Sequence, residues 1–423
     1  MRFNNSLRIL STGMGWPSAQ PGGLNTYFKH INEALAENHD LQALVSSSEK
    51  PVVKEGLQVT NVAKTQLKLS KRRDAFRQHA AWLMDNQDVD IVYSHFAPYS
   101  TGVAMEAKQR NIPVVMTFHG PWSEEIKLEG KGLKHWVKTR IAKNMEMKAY
   151  RYADAFIVLS ETFRDILHQN YQIPLTKIHI VPGAADIVRF QPSTERKAIR
   201  ERLHITEGTT AVLTLRRLVN RMGLLQLIDA WKEVVREVPD TVLLLGGKGP
   251  LKEELEKKIA EYGLESRVRL LGYVPDHELA DYYQAADLFV VPSQALEGFG
   301  LITVEAMAAG VPVMATPVGG NREILQKFRP ELLFAGKSSQ DMAAGLIRSL
   351  QNQDHWPTAE QCRNHVLENY TWERVSDQVE GIFRSVIDNH LIAYGRNRSP
   401  RVQAERKGGH EKDVENSVFG SYR

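Results

Sequence analysis

The sequence predicts an α/β protein of two consecutive domains, each built around a parallel β-sheet. Short apolar runs alternate with segments of helical period along most of the 423 residues, and this alternation is typical of βαβ units with a sheet covered on both faces. The alternation restarts once, after Phe190, which divides the chain into two units of ordinary domain size. The 42% of hydrophobic and 25% of charged residues are globular values.

The first half opens with a buried strand at 7–13, followed by a helix at 25–38 in which Tyr27, Ile31 and Leu35 recur with a helical period. Helical patterns separate most of the strands that follow. These strands are predicted at 41–47, 90–96, 113–119, 155–160 and 178–183.

The second half repeats this order. Its strands are predicted at 210–217, 241–247, 268–274, 287–293 and 312–320, and its helices at 223–238, 250–263, 277–286 and 301–310. A last amphipathic helix spans 372–394, and the polar, charged stretch after it indicates a disordered tail. We therefore divide the chain into a first domain, a second domain, a final helix and a tail, at 1–187, 188–372, 373–394 and 395–423.

Composition excludes several classes of protein. The single cysteine, Cys362, excludes an intrachain disulfide and a metal site built on cysteines. No segment approaches the roughly 18 consecutive apolar residues of a membrane span, and the N-terminus lacks a signal-peptide cleavage pattern. The net charge of +4 and basic runs without interleaved aromatic residues argue against nucleic acid as a partner. We expect a cytoplasmic protein, with the inner face of the membrane as the alternative location.

The segment 297–310, EGFGLITVEAMAAG, carries the strongest functional signal. It follows a buried strand and opens a helix, and Gly298 and Gly300 allow the backbone to approach a ligand closely. The amides at the helix N-terminus have no helical partner and form a natural diphosphate site. They belong to Phe299, Gly300, Leu301 and Ile302.

Glu305 lies within that helix among small and apolar neighbours. A carboxylate buried there is unfavourable without a partner, and a vicinal diol such as a ribose would supply two hydroxyl donors. A glutamate bonded to a neighbouring loop is the alternative. The nearby glycines and the second glutamate, Glu297, favour a nucleotide site.

Glu297 and Glu305, in EGFGLITVE, resemble the E-x7-E motif of the retaining glycosyltransferases of family 4, which have the GT-B fold. The resemblance runs from the first strand to about residue 390. It implies two Rossmann-like domains that face each other across a cleft, with the C-terminal helix crossing back to the first domain. It also implies that Glu305 holds the nucleotide ribose and Glu297 contacts the transferred sugar, while the amides after Gly298 bind sugar hydroxyls and the distal phosphate.

Two further segments resemble donor-binding parts of this family. Residues 16–36 resemble its glycine-rich loop, which implies that Gly22 and Gly23 approach the donor phosphates. A Gly-Gly pair before a helix is by itself more often just a turn. Residues 271–293 resemble the segment in which the backbone of Tyr273 and Val274 receives the nucleobase. The nearby Lys248 is interpreted as part of a surface turn, with a phosphate contact as the alternative.

Residues 214–231 resemble the first strand, loop and helix of the family's second domain, where an arginine and a lysine neutralise the diphosphate. Arg217 matches the arginine, but Met222 stands where the lysine is common. Arg221 is the expected replacement, with Arg216 as a weaker candidate. A solvated basic loop is the alternative, but a departing diphosphate needs positive charge when no metal supplies it.

Histidines end two predicted strands of the first domain, at the edge where α/β sheets bind ligands. The resemblance implies that His119 lies near the transferred sugar and the acceptor. His95 is a second candidate, and a purely structural histidine is the alternative for both. Trp122 and Glu124 are further candidates for the acceptor pocket.

The segment 130–151 combines an apolar stripe with lysines and arginines. The stripe consists of Leu133, Val137, Ile141, Met145 and Ala149. Such a helix either rests on an anionic membrane surface or packs its stripe against the first domain.

The resemblance implies a metal-independent, configuration-retaining hexosyltransferase. Its donor is a nucleotide diphosphate sugar, with UDP-glucose first and GDP-mannose or UDP-N-acetylglucosamine next, and its acceptor is a glycan, a lipid-linked intermediate or a small sugar. No cofactor and no metal are expected. A nicotinamide oxidoreductase is disfavoured because neither half has a compact G-x-G-x-x-G turn. An epimerase of similar fold and a non-catalytic binder of nucleotide sugars remain as alternatives.

Overall fold

The computed structural model describes residues 6–49, 51, 56–130 and 132–394. The first sheet has seven parallel strands in the order β3-β2-β1-β4-β5-β6-β7. Its strands are β1 Arg8–Thr12, β2 Asp40–Ser46, β3 Gln58–Ala63, β4 Ile91–Ser94, β5 Val114–Phe118, β6 Ala155–Val158 and β7 Ile178–Ile180. The helices of this half are α1 Gly23–Leu35, α2 Leu69–Asn86, α3 Ala97–Gln109, α4 Trp122–Glu129, α5 Leu133–Tyr150 and α6 Glu161–Tyr171.

The second sheet has five parallel strands in the order β10-β9-β8-β11-β12. Its strands are β8 Thr210–Leu215, β9 Thr241–Gly246, β10 Val268–Gly272, β11 Leu288–Val291 and β12 Val313–Ala315. The helices after the first sheet are α7 Arg196–Arg202, α8 Leu224–Glu237, α9 Lys252–Glu261, α10 Leu279–Ala285, α11 Leu301–Ala308, α12 Gly319–Phe328, α13 Ser339–Gln351, α14 Ala359–Asn369 and α15 Trp372–Tyr394. The predicted α/β architecture with two parallel sheets is confirmed.

The central strands are mostly apolar because helices cover both faces of each sheet. Every residue of β9, TVLLLG, is buried, and so is every residue of β5, VVMTF. The edge strand β3 was missed in the sequence. Its residues, QVTNVA, are mostly polar or half-buried, and a strand with one open edge has no need of the continuous apolar run that the central strands require.

Each sheet has a point where the strand order reverses, between β1 and β4 in the first sheet and between β8 and β11 in the second. Loops that leave neighbouring strands in opposite directions open a crevice there, and α/β proteins bind ligands in this crevice. The loops after β1, β4, β8 and β11 and the helices that follow them carry most of the site residues predicted from the sequence.

The chain passes between the two halves at two adjacent places. Ala185 and Thr371 form an isolated parallel bridge, and the amide of Ala185 donates to the carbonyl of Tyr370 over 3.1 Å. The guanidinium of Arg363 then fixes the first connection to the second half. It donates to the carbonyls of Ile187, Phe190 and Ala308 at 2.9–3.1 Å.

Helix α15 returns to the first half, where it packs on α1. Nε2 of His39 lies 3.1 Å from a carboxylate oxygen of Glu380, and the ring of Phe383 contacts that of Tyr93 at 4.9 Å between centroids. The tail predicted at 395–423 lies outside the described residues. Within the described part of the chain, no helix combines the length and apolar character needed to cross a membrane.

Candidate active site

A cavity of about 1220 Å³ lies between the carboxyl ends of the two sheets. Of the site residues predicted from the sequence, fourteen line it directly. These residues are Gly22, Gly23, His119, Arg217, Arg221, Tyr273, Val274, Glu297, Gly298, Phe299, Gly300, Leu301, Ile302 and Glu305. The fold therefore brings the predicted residues of both halves to one place.

Glu297 is held as a carboxylate by a buried arginine. Nη2 of Arg216 lies 2.5 Å from Oε2 of Glu297, and the hydroxyl of Ser293 donates to the same oxygen over 2.6 Å. Burial alone would raise the pKa of Glu297, but the charge of Arg216 and the hydroxyl of Ser293 outweigh it, so this pKa is lowered. Arg216, which the sequence suggested weakly for the diphosphate, thus serves Glu297.

Met222, at the position where the resemblance expects a lysine, is buried, and its sulfur contacts Nη2 of Arg216 at 2.7 Å. Arg221 points into the cavity instead. Its Nη1 donates to the carbonyl of Leu296 over 3.2 Å, and only 8% of its side chain is exposed. Leu296 has a φ of 51°, a backbone conformation that is strained for a leucine. Arg221 therefore supports the loop that presents Glu297.

Arg217 and Arg221 share a carboxylate from the opposite half of the molecule. Glu125 on α4 lies 3.0 Å from Nη2 of Arg221 and 4.0 Å from Nη2 of Arg217. Glu124, the residue suggested from the sequence for the acceptor pocket, pairs instead with Lys127 at 3.3 Å. Its neighbour Glu125 lines the cavity together with Trp122.

The first turn of α11 faces the cavity and begins with Gly300 at the N-cap. Gly300 has a φ of 97°, and a Cβ there would lie 2.0 Å from Oδ1 of Asn321. A Cβ on Gly298 would lie 2.7 Å from the ring of Phe163, which belongs to the first half. These two glycines are thus required by contacts within the protein. The amide of Thr303 donates to the carbonyl of Gly300, whereas the amides of Leu301 and Ile302 have no acceptor in the helix.

The glycine-rich loop after β1 lies opposite that turn. Gly22 is the N-cap of α1 with a φ of 152°, and a Cβ on Gly23 would lie 3.9 Å from Cδ1 of Leu301. Two helix N-termini, α1 and α11, therefore line the same cavity, and each carries a partial positive charge.

Glu305 faces the cavity from α11. Its Oε2 accepts a hydrogen bond of 2.9 Å from the hydroxyl of Tyr283 on α10. Burial raises the pKa of Glu305, and the hydrogen bond from Tyr283 and the charge of Arg189 offset this only in part. Because this buried carboxylate has few hydrogen-bond donors within the protein, it is suited to accept hydrogen bonds from the hydroxyl groups of a ligand.

Tyr273 and Val274 lie near Glu305 in the lining of the cavity, where Val274 is buried and Tyr273 is 42% exposed. Nζ of Lys248 sits 4.5 Å from the centroid of the Tyr273 ring, so the lysine assigned to a surface turn also lines the cavity. Arg189 pairs with Asp276 at 3.0 Å beside them.

His119 and His95 form a pair at the first-domain side. Nδ1 of His95 is 3.1 Å from Nε2 of His119, a hydrogen bond in which one ring donates to the other. Burial and the neighbouring His119 hold the pKa of His95 well below its usual range, and burial lowers that of His119 to about 3. Both rings are therefore neutral at pH 7 and offer hydrogen bonds without charge.

Two family models match the chain. The model described as Glycosyl transferases group 1 covers residues 195–367, and that described as Glycosyltransferase Family 4 covers residues 21–189. Their order along the chain agrees with the two sheets described above. The chain belongs to the family 4 glycosyltransferases.

Relatives of this glycosyltransferase include the D-inositol 3-phosphate glycosyltransferase of Corynebacterium urealyticum, 27% identical over 86% of this chain and 91% of that protein. The mannosylfructose-phosphate synthase of Agrobacterium fabrum is 30% identical over 55% of this chain, and the match spans about half, 53%, of that protein. A sucrose-phosphate synthase structure from Thermosynechococcus elongatus matches 90% of this chain and 100% of its own with a TM-score of 0.76 at 22% identity. This similarity confirms the predicted GT-B fold.

The glycosyltransferase site also contains residues that sequence reasoning missed. Trp372, the first residue of α15, lines the cavity and stacks on His30 with 5.4 Å between ring centroids. Tyr283 supports Glu305, and Glu125 contacts the arginines. No motif marks these residues, because they reach the site through the packing of distant helices.

Helix α5 of the glycosyltransferase shows an apolar surface at its N-terminal end. Exposed fractions reach 77% for Leu133, 59% for Trp136 and 56% for Ile141, whereas Ala149, at the other end of the predicted stripe, is buried. The stripe therefore packs against the domain only at its C-terminal end. The exposed end is surrounded by cations, namely Lys134, Lys138 and Arg140.

Proposed function

We propose that this glycosyltransferase transfers a hexose from a nucleotide diphosphate sugar with retention of configuration and without a metal ion. The observation that carries the proposal is the convergence of Arg217, Arg221 and the first turn of α11 on one cavity with Glu305. Cations and free amides suit a diphosphate, and a carboxylate short of partners suits a ribose diol. UDP-glucose is the first donor to test, with GDP-mannose and UDP-N-acetylglucosamine next.

In this proposal the donor binds mainly to the second half. Glu305 accepts hydrogen bonds from the ribose, and the backbone of Tyr273 and Val274 receives the base. The sugar lies towards Glu297, and the amides of residues 299–302 contact the distal phosphate. When the bond to the sugar breaks, negative charge grows on the diphosphate, where Arg217, Arg221 and these amides stabilise it.

The acceptor binds against the first half and attacks from the face that the diphosphate leaves, with a diphosphate oxygen accepting the acceptor proton. No protein nucleophile is assigned. His119 is neutral, so it donates or accepts a hydrogen bond at the sugar rather than supplying charge. Glu297, held ionised by Arg216, orients the sugar and stabilises positive charge that develops on it.

Thermal shifts test the donor site. Wild type and Glu305→Ala are titrated with UDP, GDP, ADP and NAD. We expect one nucleoside diphosphate to raise the Tm of wild type and to have no effect on the variant. Stabilisation by NAD alone, or an unchanged response of Glu305→Ala, would contradict the diol role of Glu305 and reopen the oxidoreductase and the non-catalytic binder.

Turnover separates a transferase from its rivals. Release of nucleoside diphosphate that depends on an added acceptor supports transfer, and the anomeric configuration of the product, read by NMR, tests retention. An epimerase would change the donor sugar without an acceptor, and a silent binder would do neither.

We further propose that the acceptor is lipid-linked and that the exposed end of α5 rests on an anionic bilayer. Leu133, Trp136 and Ile141 would enter the interface while Lys134 and Lys138 meet lipid phosphates. Co-flotation with vesicles containing phosphatidylglycerol, but not with pure phosphatidylcholine, is the expected result. Leu133→Ser/Ile141→Ser should abolish it without loss of nucleotide binding. The names of two relatives suggest the alternative, a small phosphorylated acceptor. Failure of the wild-type protein to float with either kind of vesicle would favour this alternative.

A further inference from the structure

Glu125 connects the two halves of the protein across the cavity. It lies on α4 of the first half, and its two carboxylate oxygens face Arg221 and Arg217 of the second half at 3.0 and 4.0 Å. Its side chain is 30% exposed, so the contact is partly shielded from water. A carboxylate of the first half thus lies against the two cations that the proposed function assigns to the donor diphosphate.

Arg221 has little freedom to serve a second anion. Its Nη1 is committed to the carbonyl of Leu296 and its Nη2 to Glu125, and its Nε is buried without a hydrogen-bond partner among the described residues. Burial lowers the pKa of this arginine against the opposing charge of Glu125. The guanidinium is therefore a buried cation that, among the described residues, forms its ion pair with Glu125.

Carboxylate and phosphate oxygens occupy the same positions around a guanidinium. A diphosphate at Arg217 and Arg221 would bring further negative charge close to Glu125, where the low local dielectric strengthens the repulsion. The two anions therefore compete for these arginines.

We propose that Glu125 is an internal competitor of the donor diphosphate and sets the affinity for the donor. This inference rests on the proposed function of Arg217 and Arg221. In the free protein Glu125 shares its one negative charge between the two arginines and joins α4 to the second half. The diphosphate displaces it, and the bound donor replaces a contact between the halves with its own. Glu125 is thus an affinity-determining residue and not a catalytic one.

The test compares Glu125→Gln with Glu124→Gln. Both variants remove one negative charge from α4, but Glu124 pairs with Lys127 and not with the arginines. Dissociation constants for UDP, GDP and ADP are measured by calorimetry at about 50 mM and about 500 mM salt. We expect Glu125→Gln to bind the preferred diphosphate about three- to tenfold more tightly than wild type at low salt. Glu124→Gln should bind like wild type, and the gain should shrink at high salt.

Three results would overturn the inference while leaving the proposed function intact. These are unchanged affinity in Glu125→Gln, weaker affinity in Glu125→Gln, and an equal gain in both variants, which would indicate a general field effect. If neither wild type nor Glu125→Gln binds any of the three diphosphates, the proposed function itself fails.

Glu125→Gln leaves the buried Arg221 without its carboxylate partner, which could destabilise the fold, so a second variant serves as a control. Glu125→Asp keeps the charge but withdraws it by one methylene, and the Tm of each unliganded variant shows whether the fold is intact. We expect Glu125→Asp to bind the diphosphate with an affinity between those of wild type and Glu125→Gln. An affinity at or below that of wild type in folded Glu125→Asp would contradict competition.

Discussion

Arg216 and Glu297 form a buried ion pair in the wall of the cavity, with 4% and 13% of their side chains exposed and 2.5 Å between Nη2 and Oε2. The pair joins the end of β8 to the loop after β11, across the point where the order of the second sheet reverses. It therefore fixes the position of Glu297 before any ligand arrives.

Arg216→Met should lower the free energy of unfolding by about 3–5 kcal/mol, because it leaves a buried carboxylate without its cation. Adding Glu297→Gln removes the orphaned charge and should restore part of the loss. Urea denaturation of both variants measures this, with Arg217→Met as the control. Arg217 is 56% exposed, so its loss should change stability by no more than about 0.5 kcal/mol. A double variant no more stable than the single one would show that the two residues do not act as a pair.

Glu305→Gln should make the nucleotide-free protein more stable while it weakens nucleotide binding. Burial raises the pKa of Glu305, so the folded state holds its proton more tightly than the unfolded chain and loses stability as the pH rises above the ordinary carboxyl range. A glutamine removes this penalty and still accepts from Tyr283. A gain of about 1 kcal/mol corresponds to roughly 2–4 °C in Tm. The gain should be larger at pH 8 than at pH 5, and an equal gain at both values would contradict a role for the charge.

Acid should destabilise the protein through His95 and His119 before its carboxylates are protonated. The pKa of both histidines is lowered in the folded state. Below about pH 6.5 the unfolded chain therefore binds protons at these histidines that the folded state does not bind. The free energy of unfolding should fall by about 1.4 kcal/mol per pH unit for each such histidine. Denaturation between pH 7 and 5.5 measures the slope. His95→Gln/His119→Asn should flatten it, whereas His277→Gln, at a residue with an 82% exposed side chain, should not.

Gly300→Ala should destabilise the second half by at least about 2 kcal/mol. Its left-handed backbone is strained for alanine, and the new Cβ would meet the side chain of Asn321. Asn321→Ala in the same chain removes the collision but not the strain, so it should restore only part of the stability. Gly23→Ala is the matched control because its Cβ meets only Leu301, at 3.9 Å. A Gly300→Ala protein as stable as Gly23→Ala would show that the N-terminus of α11 adapts.

The parts of the fold that could be predicted from the sequence are those in which the residue types directly reflect the burial or the backbone conformation of the segment. Strand β9 could be predicted because a strand covered on both faces is buried at every residue and therefore mostly apolar. The N-terminus of α11 could be predicted because glycines precede an apolar helix. Strand β3 was missed because its edge position permits polar residues. The partner of Glu297 was missed because Arg216 and Arg217 are adjacent in sequence, and only the packing of the loops decides which of them is buried.

The two chain segments that connect the halves are bridged to each other at Ala185 and Thr371. The two halves, or lobes, therefore share one pivot and are not joined by two independent linkers. Because Arg363 anchors residues 187 and 190 to the second lobe, bending is confined to the few residues beside the bridge. A rotation about this pivot would separate residues in proportion to their distance from it. Trp372 adjoins the pivot and should keep its stacking on His30 throughout. We therefore expect any opening of the two halves to occur as a rotation about the bridge between Ala185 and Thr371.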